Sequence, residues 1–110
     1  MYPISETISE RNRILEMNLI FEWDEEKADN NLRKHGVTFD EAKTVFRDSF
    51  LMTYPDPEHS HCEDRHLSIG CSEKGRILIL IHTERNENIR IISCRKASRK
   101  ERRLYEQGDF

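Results

Sequence analysis

The stretch that decides the fold lies in the second half of the chain, Arg76-Ile77-Leu78-Ile79-Leu80-Ile81 followed by His82-Thr83-Glu84-Arg85. A second stretch of the same kind, Asn88-Ile89-Arg90-Ile91-Ile92-Ser93-Cys94, ends in Arg95-Lys96. Short apolar runs bounded by turn residues are typical of buried strands. The two runs therefore predict strands of one sheet that deliver imidazole, carboxylate and guanidinium groups. Guanidinium groups match phosphate oxygens in shape and charge, so this region is a candidate phosphate-binding platform.

The bulk composition limits the chain to one small domain. It has 110 residues, of which 35% are hydrophobic and 35% are charged, so we expect a thin core and no second one. No apolar run approaches the length of about 20 residues that a membrane helix needs. The first residues lack the features of a secretion signal. Three cysteines without paired spacing favour reduced thiols and a cytoplasmic protein.

The charge is unevenly distributed along the chain. The formal net charge is −3, which argues against a general nucleic-acid binder. Basic residues nevertheless crowd the end of the chain, namely Arg95, Lys96, Arg99, Lys100, Arg102 and Arg103. A local basic patch on an acidic protein indicates a targeted site.

The first half of the chain predicts an arm, a strand and a helix. Residues 1–17 are polar and without a firm period, and we expect them to lie outside a single domain of residues 18–107. Residues 19–23 predict a strand, Asp24 an N-cap and Gly36 a left-handed helix end. Helical spacing places three side chains of this helix on one face, those of Ala28, Leu32 and His35.

A second short helix is predicted directly after Gly36. Thr38 and Glu41 have the spacing of a capping box, in which each side chain accepts a hydrogen bond from the other residue's backbone amide. Its apolar face is formed by Phe39, Ala42, Val45 and Phe46. The two helices are therefore expected to form a hairpin.

The remaining residues predict four strands and a terminal helix. The strands are residues 50–54, 65–71, 77–81 and 89–94. Ser98 and Glu101 form another capping box, which begins a basic helix that ends at Gly108. This order indicates an α+β fold in which helices cover one face of an antiparallel sheet and leave the other face available for a ligand.

Several short motifs carry a family resemblance. They are Phe21-Glu22-Trp23-Asp24-Glu25-Glu26-Lys27, Asn31-Leu32-Arg33-Lys34-His35-Gly36-Val37, Phe39-Asp40-Glu41-Ala42, Tyr54-Pro55-Asp56-Pro57, Glu63-Asp64-Arg65, His82-Thr83-Glu84-Arg85 and Arg90-Ile91-Ile92-Ser93-Cys94-Arg95-Lys96-Ala97. In this order and spacing they resemble the BrnT family of bacterial toxins, over about residues 19–105. The resemblance implies a RelE-like fold and a ribonuclease of a type II toxin–antitoxin pair. Cys94, where the family often has a small residue, is a minor departure.

The resemblance also implies partners. The expected ones are an RNA substrate and a small ribbon-helix-helix antitoxin, with operator DNA contacted only through the toxin–antitoxin complex. The predicted activity is metal-independent endonucleolytic cleavage of single-stranded RNA, which inhibits translation and leaves a cyclic phosphate end. The alternative is a non-catalytic module that binds the antitoxin and contributes to autoregulation of the operon. No membrane partner and no cofactor are expected.

Four residues are candidates for catalysis. His82 and Glu84 are two apart at the end of a predicted strand and share a face, so they are candidates for proton transfer from the ribose 2′-hydroxyl. Arg65 and Arg95 are candidates for holding the phosphate. Arg90 has the opposite parity to Arg95 and should face away from it unless the strand contains a bulge. The alternatives are a strand-end histidine bonded to a loop and arginines in cross-strand ion pairs.

Further basic residues are candidates for binding RNA. They are Lys27, Lys34, Arg90, Lys96 and Arg99. Each could instead belong to a solvated surface, and His35 could simply cap the first helix. A metal-dependent nuclease that uses the histidines of residues 59–66 is a weaker alternative, because their spacing fits no familiar zinc pattern.

Overall fold

The computed structural model describes residues 19–56, 58, 65–85 and 87–108, and the predicted arm of residues 1–17 lies outside them. Strand β1 (Ile20–Glu22) is followed by helix α1 (Glu25–His35) and by helix α2 (Phe39–Ala42), which a 3-10 helix (Lys43–Arg47) continues. The remaining elements are β2 (Met52–Pro55), β3 (Arg65–Cys71), β4 (Ile77–Arg85), β5 (Asn88–Lys96) and α3 (Arg99–Gln107). This order confirms the predicted α+β fold.

The described strands form one five-stranded sheet in the order β1-β5-β4-β3-β2. Strands β2 to β5 form an antiparallel meander, because short turns join β3 to β4 and β4 to β5. Strand β1 pairs in parallel with β5, but only along Asn88–Arg90. Among the described residues, the rest of β5 therefore has no strand beside it on that edge.

Helix α1 begins and ends where the sequence predicts. Asp24 accepts hydrogen bonds from the amides of Glu26 and Lys27, and Gly36 closes the helix at a φ of 71°. The expected face is only partly correct, because 46% of the Leu32 side chain is exposed. The buried side chain is that of Asn31, one position earlier. Its amide is buried because it donates hydrogen bonds to the carbonyls of Val37 and Cys94.

The predicted capping box at α2 forms only by half. Thr38 accepts from the amide of Glu41, but the Glu41 carboxylate turns inward instead of returning to Thr38. It accepts hydrogen bonds from Ser72 (2.7 Å) and from Nε of Arg76 (2.9 Å). These bonds lower the pKa of Glu41, with the Arg76 hydrogen bond as the largest cause. An ion pair with a distant residue therefore replaces a local cap and ties α2 to the turn between β3 and β4.

The two faces of the sheet have different surroundings. The helical hairpin covers one face, and side chains from both layers form the core. Its members are Val37, Phe39, Ala42, Val45, Phe46, Leu78, Leu80, Ile89, Ile91 and Cys94. The 3-10 helix can approach β3 closely because Gly70 has no side chain, and a Cβ there would lie 2.8 Å from Leu51 Cδ1. We call the covered side the helix face and the other side the open face. No helix in the described part of the chain is long and apolar enough to cross a membrane.

Candidate active site

A bulge in β5 determines which arginines lie on the open face. Ile81 pairs with Ser93 whereas His82 pairs with Ile91, so Ile92 is the extra residue. Beyond the bulge the alternation of side chains is shifted by one position. Arg90, which pairs with Thr83, and Arg95, which pairs with Ile79, therefore point to the same face. The structure thus contains the bulge that Arg90 and Arg95 need in order to point to the same face.

A groove of about 370 Å³ lies on the open face. Its apolar floor comes from the three central strands, and both Arg65 and Arg95 line it. The other lining residues are His35, Asp56, Glu58, Leu67, Ile79, Ile81, Ile92, Ser93 and Cys94. Two guanidinium groups on an apolar floor provide charge for a phosphate and a surface for a sugar or base.

One end of this face carries a row of polar side chains. Arg65 pairs with Thr83 on one side, and Thr83 pairs with Arg90 on the other. Directly opposed side chains in antiparallel strands lie about 5 Å apart at Cβ, so the two arginines flank the threonine. The Thr83 hydroxyl is buried and has no hydrogen-bond partner among the described residues. The Arg90 guanidinium lies 3.6 Å from the Glu22 carboxylate.

Arg95 already holds a carboxylate. Two of its nitrogens donate to the two oxygens of Glu101 at 2.8 and 2.9 Å. Glu101 also accepts from the amide of Ser98 and completes the predicted capping box of α3. The hydrogen bond from Arg95 is the largest cause that lowers the pKa of Glu101 to about 2. Arg95 therefore lies in the bidentate geometry that a phosphate would also use.

His82 lies on the helix face, which corrects the sequence-based placement. Its side chain is fully buried, and its ring contacts Phe46 edge-on at 5.1 Å between centroids. Nε2 is hydrogen-bonded to the Ser68 hydroxyl at 2.8 Å. Burial, and secondarily the nearby His66, lowers the pKa of His82 to about 4. A neutral ring beneath the helices and across the sheet from Arg95 cannot share a phosphodiester with it.

The other candidates lie outside the groove. Glu84 is exposed near the end of β4, and its parity places it on the helix face with His82, as expected for residues two apart. Lys27 and Lys34 are exposed on α1, Lys96 at the end of β5, and Arg99 in the first turn of α3. Among the four proposed catalytic residues, the structure brings only Arg65 and Arg95 together. His59 and His61, on which the metal alternative depends, lie outside the described residues.

The groove also contains residues that sequence reasoning did not assign to the site. Asp56 and Glu58 reach it from the segment after β2, and His35 reaches it from the last turn of α1. Spacing along the chain does not indicate that these three residues share a groove, because they come from elements near opposite edges of the sheet. The spacing signal available for His35 was its position next to Gly36, which indicates a helix end.

Comparisons with known proteins agree with this geometry. The sequence model described as ribonuclease toxin, BrnT, of type II toxin-antitoxin system matches residues 23–101. Among solved structures, the chain is similar to a 1.1 Å crystal structure of the Brucella abortus ribonuclease toxin, BrnT. The TM-score is 0.58 and the sequence identity 26%, over 74% of this chain and 97% of that one. Comparison with curated proteins gives no significant match.

The family match covers most of the chain and every residue that lines the groove. It begins at Trp23, spans both helices of the hairpin and strands β2 to β5, and ends at Glu101. The similar crystal structure has the same fold over nearly its whole length. The chain belongs to the BrnT family of ribonuclease toxins of type II toxin–antitoxin systems.

Proposed function

We propose that this protein is a metal-independent endoribonuclease that cuts single-stranded RNA in the cytoplasm and thereby inhibits translation. The observation that carries the proposal is the presence of Arg65 and Arg95 in one groove of the open face. Cleavage that uses the ribose 2′-hydroxyl builds negative charge on the phosphate, and two guanidinium groups stabilise that charge without a metal ion.

The floor of the groove suits an unpaired strand. Leu67, Ile79, Ile81 and Ile92 provide apolar surface for a sugar or an unstacked base. A double helix would present its phosphates on a wide convex surface, whereas this groove is a small concave space of about 370 Å³. The substrate we propose is therefore single-stranded.

Basic residues around the groove supply the longer-range attraction. Lys27, Lys34, Lys96 and Arg99 are exposed, and Arg90 is half-exposed beside Glu22. We assign to these five a role in attracting the RNA backbone, which makes binding weaker as the salt concentration rises. Their contribution is expected to be shared, with a small loss for each single substitution.

The proposed partner is a ribbon-helix-helix antitoxin whose acidic segment occupies the same arginines. The support is the contact between Arg95 and Glu101, because it shows that a carboxylate fits the guanidinium with two hydrogen bonds. In the complex, the antitoxin rather than the toxin would contact operator DNA. The formal net charge of −3 fits this division, since the toxin alone is a poor DNA binder.

The test is an incubation of the pure protein with end-labelled single-stranded RNA in excess chelator. Cleavage with a 2′,3′-cyclic phosphate on the upstream product is expected. The Arg65→Ala and Arg95→Ala variants should lose it, whereas Arg33→Ala, which removes an exposed arginine outside the groove, should not. Retarded migration without cleavage would instead favour the alternative, a non-catalytic module that binds the antitoxin. Cleavage that the chelator abolishes would favour a metal-dependent nuclease.

A further inference from the structure

The proposed reaction needs a group that can take a proton, and the arginines cannot serve. A guanidinium remains protonated in proteins and offers no acceptor. Cys94 also lines the groove, but its thiol is buried in the core, and this burial raises the pKa of the thiol to about 12. With His82 buried on the helix face, the imidazole that lines the groove among the described residues is that of His35.

The exposed edge of β5 explains how a helix residue reaches the open face. Strand β1 covers β5 only as far as Arg90. Beyond it, the side-chain amide of Asn31 takes the place of a neighbouring strand, donating to the Cys94 carbonyl (2.8 Å) and accepting from the Cys94 amide (3.0 Å). This pair of bonds fixes α1 along the open edge of the sheet.

His35 lies one helical turn after Asn31 and therefore on the same side of α1. Strand β1 ends opposite Arg90, and α1 then runs along β5 to Asn31, which is bonded to Cys94, so the next turn carries His35 onward to the part of β5 that bears Arg95. Bulges often lie beside active sites, where they redirect side chains. Here the bulge turns Arg95 onto the open face, and His35 lies beside the same segment.

The position across the groove separates His35 from the carboxylates. His35 comes from α1, which Asn31 ties to Cys94 of β5, whereas Asp56 and Glu58 follow β2. Three strand spacings, or about 14 Å, lie between β5 and β2. The carboxylates therefore belong to the side of the groove that carries Arg65, whose carbonyl accepts from the Asp56 amide at 3.0 Å, whereas His35 belongs to the side that carries Arg95.

We propose that His35 is a catalytic residue, the general base of the ribonuclease reaction, and this inference rests on the function proposed above. The neutral imidazole takes the proton of the ribose 2′-hydroxyl, and O2′ attacks phosphorus. The bond between phosphorus and O5′ breaks, O5′ takes a proton from water, and a 2′,3′-cyclic phosphate and a 5′-hydroxyl result. The imidazolium then returns its proton to solvent.

A purely structural role for His35 has weaker support. The last turn of α1 is capped by the amide of Gly36, which donates to the Leu32 carbonyl at 2.9 Å. That donor belongs to the backbone and remains when the side chain of His35 is removed. The side chain is exposed, so its removal leaves no cavity in the core.

The test compares single-turnover cleavage of a labelled RNA by wild type, His35→Ala and His35→Gln, with Arg33→Ala as the matched control from the same helical turn. We expect both His35 variants to be slower by about 10²- to 10⁴-fold, the usual contribution of a general base. The wild-type rate should rise with pH, as the need for a deprotonated general base requires, and this rise should be absent in the variants. Added imidazole should partly restore His35→Ala and not the wild type.

Two further measurements separate the possible outcomes. Binding of an uncleavable RNA analogue that lacks the 2′-hydroxyl, and the midpoint of thermal unfolding, should be nearly the same in wild type and variants. Two outcomes overturn the role of His35 and leave the ribonuclease in place: His35 variants that cleave at the wild-type rate, or variants that are slower, are not rescued by imidazole and still show the wild-type dependence of the rate on pH. A wild type that fails to cleave any RNA overturns the ribonuclease proposal, and the role of His35 with it.

Discussion

The helix face and the open face of the sheet both carry a histidine, but the one on the helix face is buried and the one at the open face is exposed to solvent. On the helix face, His82 is buried, hydrogen-bonded to Ser68 and neutral over a wide pH range. On the open face, His35 and Arg95 are exposed to solvent and line one groove. Whether an imidazole or a guanidinium can contact a substrate depends on the face of the sheet on which it lies. Its position in the chain alone does not determine that face.

This difference arises from alternation in two neighbouring strands. Strand β4 keeps a strict period of two, so Leu80, His82 and Glu84 share the helix face. Strand β5 changes face at Ile92, so residues on the two sides of the bulge can both face the groove. A regular β5 would have placed either Arg90 or Arg95 against the helices, where an unpaired guanidinium is costly.

The largest expected effect is on the open face, where Arg95→Gln should slow RNA cleavage by about 10²- to 10³-fold because a charged donor to the phosphate is lost. The free energy of unfolding should change by less than about 1 kcal/mol, since the ion pair with Glu101 is partly exposed. Single-turnover rates and urea unfolding measure the two quantities. An unchanged rate would remove Arg95 from the site.

The reverse pattern is expected on the helix face. His82→Ala should lower the free energy of unfolding by about 2–4 kcal/mol, because it leaves a cavity beside Phe46 and removes one of the two hydrogen-bond partners of the Ser68 hydroxyl, the other being Thr53. Cleavage measured well below the unfolding temperature should stay within a few-fold of wild type. Loss of cleavage in a variant with wild-type stability would instead support a catalytic role for His82.

Acid should weaken the helix face through the same residue. His82 in the unfolded chain titrates near the ordinary value of 6.5, whereas burial lowers its pKa in the folded protein to about 4. Between these values the unfolded chain binds more protons, so stability falls as the pH decreases from about 6.5 to about 4, by up to about 3 kcal/mol. Urea unfolding at several pH values measures this slope. The slope should flatten in His82→Gln, and an equal slope in that variant contradicts the assignment.

The junction between the two faces depends on Asn31. Asn31→Ala removes both hydrogen bonds to the backbone of Cys94 and should cost about 2 kcal/mol of stability. Because these bonds hold α1 along β5, cleavage should also fall if His35 acts from this helix. Asn30→Ala, the exposed neighbour, is the control. A variant with full cleavage despite the lost stability would separate the position of α1 from the chemistry.

The smallest effect is expected at the groove edge. Glu101→Gln releases Arg95 while it keeps an acceptor for the amide of Ser98, so α3 should remain capped. Affinity for an uncleavable RNA analogue should rise by about fivefold, the equivalent of about 1 kcal/mol for an exposed ion pair. The gain should shrink at high salt. Weaker binding would mean that Glu101 holds Arg95 in the productive orientation.

Much of the fold could be predicted because its signals are local. Asp24, Gly36 and the pair Ser98 and Glu101 act within three or four residues along the chain, and all behave as predicted. Strands β3 to β5 follow from their apolar periodicity. The pair Thr38 and Glu41 departs from its pattern, because Arg76 offers Glu41 a charged partner from the turn between β3 and β4.

The sequence alone determined the order of the elements, their caps and the presence of arginines at the strand ends. The tertiary structure decided which face each of them occupies. Local signals depend on bonds between residues a few positions apart, whereas the bulge at Ile92, the short pairing of β1 and the approach of His35 depend on packing between elements distant in the chain. A shift of one residue in strand register moves every side chain of a strand to the other face, so the composition of the site depends on the register of the sheet and on how the hairpin packs against it.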